Sequence, residues 1–124
     1  MKNEGSRDGA IARAHDRMDS GVYLEELARR VAIPTESQVP ERADELYRYQ
    51  KEEMAPAFEA LGFETTLLEN PVAGRGPSLV ACRIEDESLP TVLVYGHGDV
   101  VRSVQSEWRE GLEAYALTFE GDKI

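Results

Sequence analysis

The chain has 124 residues, 41% of them hydrophobic and 31% charged, a balance that suits one domain or a part of one. Twenty-four acidic side chains against 14 basic ones give a formal net charge of -10 at pH 7, so nucleic acid, whose phosphates would be repelled, is not an expected partner. The single cysteine, Cys82, excludes an internal disulfide, and no apolar run approaches the length of a membrane span, so no membrane partner is expected either.

Residues 1–18 carry charges throughout and no apolar core, which speaks against a secretory signal; with a lone thiol this fits a reducing cytoplasm. Residues 1–9 are polar and are predicted to be disordered, with Ile11, Ala14 and Met18 hinting at a helix after them. The segment 1–18 is therefore expected to be flexible or partly helical, with His15 a solvated helix histidine. Asp19 and Ser20 offer capping oxygens for a helix whose Leu24, Leu27, Ala28 and Val31 recur at i, i+3, i+4 and i+7. Arg29 and Arg30 suit its last turn, and Pro34 forces Ile33 toward extended backbone and ends it.

A second amphipathic helix is predicted over residues 40–61, with Ala43, Tyr47, Met54, Phe58 and Leu61 as its buried stripe and Gly62 as a left-handed C-terminal cap. Pro56 cannot donate to the carbonyl of Glu52, so a kink or break is expected there. Residues 63–68 and 78–84 read as strands, the second placing Cys82 inside as a buried thiol. Between them Gly74-Arg75-Gly76 invites an anion-wrapping reading, but with no helix following it an ordinary loop is preferred.

The chain is organised around residues 91–100, Thr-Val-Leu-Val-Tyr-Gly-His-Gly-Asp-Val. Residues 92–95 are apolar without alternation, as in a strand buried on both faces of a covered sheet. Gly96 and Gly98 relieve crowding where such a strand turns, at the end of a sheet where ligands collect in α/β folds. On extended backbone His97 and Asp99, two apart, project to the same side, so the carboxylate can hold the imidazole while the free ring nitrogen faces a metal. A bare His-x-Asp is more often an exposed turn histidine followed by a capping aspartate; the strand and the glycines are what shift the balance toward the metal reading. Further on, residues 100–113 are expected to be irregular or a short helix, Trp108 a loop anchor, residues 116–119 a short strand and Gly121-Asp122 a turn.

Residues 90–101, with Trp108 and Leu117-Thr118-Phe119-Glu120-Gly121-Asp122, resemble the aminoacylase, acetylornithine deacetylase and succinyl-diaminopimelate desuccinylase family of dinuclear zinc peptidases and deacylases. The resemblance spans about residues 20–124, and the Ile33-Pro34-Thr35-Glu36-Ser37 turn also looks like the family's loop after its first helix. It implies an α/β fold, the N-terminal portion (residues 19–124) of a three-layer zinc-peptidase catalytic domain with a mixed sheet and covering helices, truncated. It implies His97 as a zinc ligand and Asp99 as the catalytic-site carboxylate that orients it. The implied activity is metal-dependent cleavage of amide bonds in peptides or N-acyl amino acids, with two zinc ions in the full-length family. In that family a bridging aspartate, a glutamate general base and further ligands follow later in the chain; with His97 the only carried-over ligand, this chain is expected to be inactive alone. The contrasting expectation is a non-catalytic α/β binding or assembly module, self-associating through an exposed sheet edge.

Overall fold

The computed structural model describes residues 5–124. Of the segment predicted to be disordered, residues 1–4 lie outside the described residues. Helix α1 (Arg7–Asp19) starts earlier than the apolar spacing indicated because Ser6 caps it, its hydroxyl accepting the Gly9 amide at 3.1 Å. His15 is exposed on it, as expected. Ser20 does not cap the next helix; it closes α1, its hydroxyl donating to the Arg17 carbonyl at 3.2 Å, and the chain reverses through Gly21 at φ 80°. Helix α2 (Val22–Val31) presents Leu24, Leu27, Ala28 and Val31 as a half-buried stripe, in keeping with their spacing. It stops where Pro34 precludes a further turn.

The predicted long helix is present but rebuilt in its middle. A 3₁₀ turn (Pro40–Arg42) leads into α3 (Ala43–Arg48), a π-helical turn (Tyr49–Met54) and α4 (Ala55–Glu59). Pro56 has no N–H for the carbonyl four residues back, and the ladder widens just before it: the Ala55 amide reaches the Gln50 carbonyl, five residues away. The interruption is thus a change of hydrogen-bond register upstream of the proline. Gly62 closes the run at φ 81°, with the Phe63 amide bonded to Phe58 O at 3.1 Å and the Gly62 amide to Glu59 O at 2.9 Å, the paired bonds of a Schellman cap. Leu46, absent from the predicted stripe, is the buried residue of this run, whereas Leu61 is exposed.

Strands β1 (Glu64–Leu68) and β2 (Ser78–Cys82) form an antiparallel pair in which Thr65 faces Ala81 and Leu67 faces Leu79. These four side chains make the half-buried face; Ser78, Val80 and Cys82 lie on the other, so the Cys82 thiol is exposed, contrary to the buried thiol expected. Phe58 and Phe63 meet edge to face at 5.4 Å where α4 hands over to β1. The connecting loop is closed by Asn70, whose amide donates to Gly76 O at 3.1 Å while its carbonyl oxygen accepts the Val72 amide at 3.0 Å. Gly76 then passes so close to Leu46 that a β-carbon there would lie 2.7 Å from Leu46 Cδ1. An ion pair of 2.7 Å between Arg29 and Glu53 fastens α2 to the π-helical turn.

The central strand is where expectation and structure part. Residues 92–95 are in no strand, and Val92, Leu93, Val94 and Tyr95 are 81–95% exposed. Among the described residues the sheet has two strands, antiparallel, not a mixed sheet closed around a third. An apolar run states that extended backbone and burial suit it, but a strand exists only where a neighbour supplies amides and carbonyls, and β1 and β2 pair with each other alone. Residues 116–119 likewise form no strand; the turn at Gly121-Asp122 does form, closed by a bridge between Glu120 and Lys123. A 3₁₀ turn (Gln105–Glu107) supplies the short helix of the preceding stretch. What results is a small α/β fold of three helical bodies and a two-stranded sheet, and no described helix is long and apolar enough to cross a membrane.

Candidate functional site

The His97–Asp99 pair forms. Imidazole Nδ1 lies 2.6 Å from Asp99 Oδ1, and the Tyr95 ring stands edge-on to the imidazole with centroids 6.1 Å apart. With Nδ1 engaged by the carboxylate, Nε2 is the nitrogen left with a lone pair to offer, the arrangement seen in metal-ligating histidines. The site is open: 66% of the His97 side chain and 33% of that of Asp99 are exposed. Gly98 explains how the pair is seated. Its backbone lies against the π-helical turn, so close that a β-carbon would come within 2.8 Å of Gln50 Nε2 and 3.4 Å of Tyr49 Cε1.

The segment is then stitched to the loop after α2. The Val100 amide donates to Thr35 O at 2.9 Å, Val100 and Glu36 form a parallel bridge, and the Ser103 amide donates to Glu36 Oε1 at 2.6 Å. That loop is the most deeply buried stretch among the described residues: Ile33 is 5%, Thr35 4% and Glu36 5% exposed. Arg42 Nε lies 3.6 Å from Glu36 Oε2. The Ser103 amide holds the Glu36 carboxyl below the usual carboxylate range. Burial pushes the Tyr115 phenol up, and its hydroxyl, enclosed beside Glu36 and Ser103, makes no hydrogen bond of standard geometry to either.

Sequence reasoning placed His97 and Asp99 together and the structure does the same; it did not foresee Glu36, Ser103 or Tyr115. The one signal was local, a glutamate two residues after Pro34, in a turn that stood out only as the end of α2 and for its likeness to the family's loop there. Trp108 stands 43% exposed, a weaker anchor than expected. Arg75 sits in the ordinary loop preferred for it, beside Gly74 at φ 76°.

In chemical terms the pair offers one free imidazole nitrogen and a carboxylate against the other. A catalytic zinc takes three protein ligands and an open position. Among the described residues no group of three or more histidine, cysteine, aspartate or glutamate side chains is placed to hold one ion. Compared with known proteins, the chain matches no protein-family model, no curated protein and no solved structure.

Proposed function

We propose that this chain carries one arm of a zinc site and is the N-terminal portion of a metal-dependent hydrolase, similar to the aminoacylase and acetylornithine deacetylase family, that cleaves amide bonds of peptides or N-acyl amino acids. The observation that carries the reading is the 2.6 Å contact between His97 Nδ1 and Asp99, which leaves Nε2 free on an open face. His97 would hold the metal and Asp99 would fix its tautomer; the metal, when bound, supplies Lewis acidity toward an amide carbonyl and its attacking water. With a single ligand arm the chain performs no hydrolytic step of its own.

The test is zinc titration by calorimetry on the full chain and on His97→Ala. Uptake lost in the variant supports the ligand role; identical uptake in both removes it. Amide hydrolysis by the chain alone is expected to stay at the metal-free blank, and turnover dependent on His97 would overturn the one-arm description. A second reading, an assembly module, is favoured by one specific feature, the exposed run Val92-Leu93-Val94-Tyr95 with unpaired backbone, which a second copy of the chain would cover by strand pairing.

A further inference from the structure

The backbone of residues 84–99 makes no hydrogen bond outside its own segment among the described residues. Its first ties to the body come just after the His97–Asp99 pair, at Val100 to Thr35 O and at Ser103 to Glu36. The second tie is the unusual one. Its acceptor is a carboxylate whose side chain is 7% exposed, in the most buried stretch of the described residues, where an apolar side chain would fill the space without any cost of removing a charge from water.

We propose that Glu36 is a positioning residue for the His97–Asp99 pair, gripping the Ser103 amide from within the body so that the pair is held over the turn at Tyr49 and Gln50. The grip works because a buried carboxylate needs its donors. If the segment lifts away, Glu36 loses its shortest hydrogen bond, and Arg42 at 3.6 Å, itself 42% exposed, is a poor replacement. Lifting therefore strands a charge, and closing satisfies it. Gly98 contributes the other half of the seat, since only a residue without a β-carbon lies this close to Gln50 without displacing it. Between the Gly98 contact and the Ser103 bond lie only four residues, so fixing one end restricts the other. The functional consequence rests on the metal-arm reading; the grip itself does not.

The experiment compares the full chain with Glu36→Gln and Glu36→Leu, by amide hydrogen exchange and by zinc calorimetry. Leucine fills the space but accepts nothing, so Ser103 and Val100 should lose protection by about 10- to 100-fold while α2 and residues 43–59 keep theirs. Glutamine keeps an acceptor oxygen without the charge and should fall between wild type and leucine. Zinc affinity should follow the same order. Unchanged Ser103 protection in both variants, or a loss shared equally by α2, overturns the proposal. If Glu36→Leu does not fold, Glu36→Gln decides alone: Ser103 protection equal to wild type refutes the grip. If wild type shows no uptake that depends on His97, the metal-arm reading falls, and the exchange data still decide the grip.

Discussion

Gly76 gives the sharpest test of the packing that supports the site. A methyl group at this position would sit 2.7 Å from Leu46 Cδ1, 2.9 Å from Leu46 Cβ and 3.3 Å from Leu46 Cγ. Leu46 is 7% exposed, and its Cβ is fixed to the α3 backbone, so turning the side chain cannot clear the contact. Either α3 or the entry to β2 must move, an overpacking cost of about 1–3 kcal/mol. Gly76 does not have positive φ, so alanine also gains about 0.4–1 kcal/mol by restricting the unfolded chain. The clash is the larger effect, and Gly76→Ala should lose about 1–2 kcal/mol net, lowering the melting temperature by about 4–8 °C. Circular dichroism melts of a double-mutant cycle with Leu46→Ala isolate the cause. Leu46→Ala alone should cost about 2–5 kcal/mol, and Gly76→Ala added to it should cost less than in the wild type, because the Cδ1 and Cγ contacts are gone while the 2.9 Å contact with Cβ stays. A Gly76→Ala protein as stable as wild type, or effects that simply add, would refute the reasoning.

Gly98→Ala meets the far end of a flexible glutamine, so its cost should stay below about 1 kcal/mol and be reduced further by Gln50→Ala; a larger loss in urea denaturation would show that Gln50 cannot turn away. The folded-state pKa of Glu36 lies below its unfolded value of about 4.3, so its contribution to stability is complete above that value and is lost as pH falls through the depressed range. The wild-type urea midpoint should therefore fall more steeply than that of Glu36→Gln below pH 4, and parallel curves would contradict the assignment. If residues 92–95 pair between copies, sedimentation of the wild-type chain should show association that Leu93→Lys abolishes; a wild-type monomer at the same concentration would dismiss the assembly reading.

Local rules carried in the residue order determined much of this chain. The half-buried stripe of α2, its end at Pro34, the Gly62 cap, the disruption by Pro56, the two hairpin strands and the proximity of His97 to Asp99 all depend on neighbours within a few positions, where stereochemistry and periodicity act directly. What lay beyond them was decided by partners distant along the chain. Residues 92–95 have every local mark of a buried strand and are left unpaired, because pairing needs an open edge at hand and burial needs a covering face. Glu36 has every local mark of a surface residue, yet Ser103, 67 positions later, encloses it. Only the tertiary structure could bring a distant amide to that carboxylate, and with it set where the histidine and its acid are held.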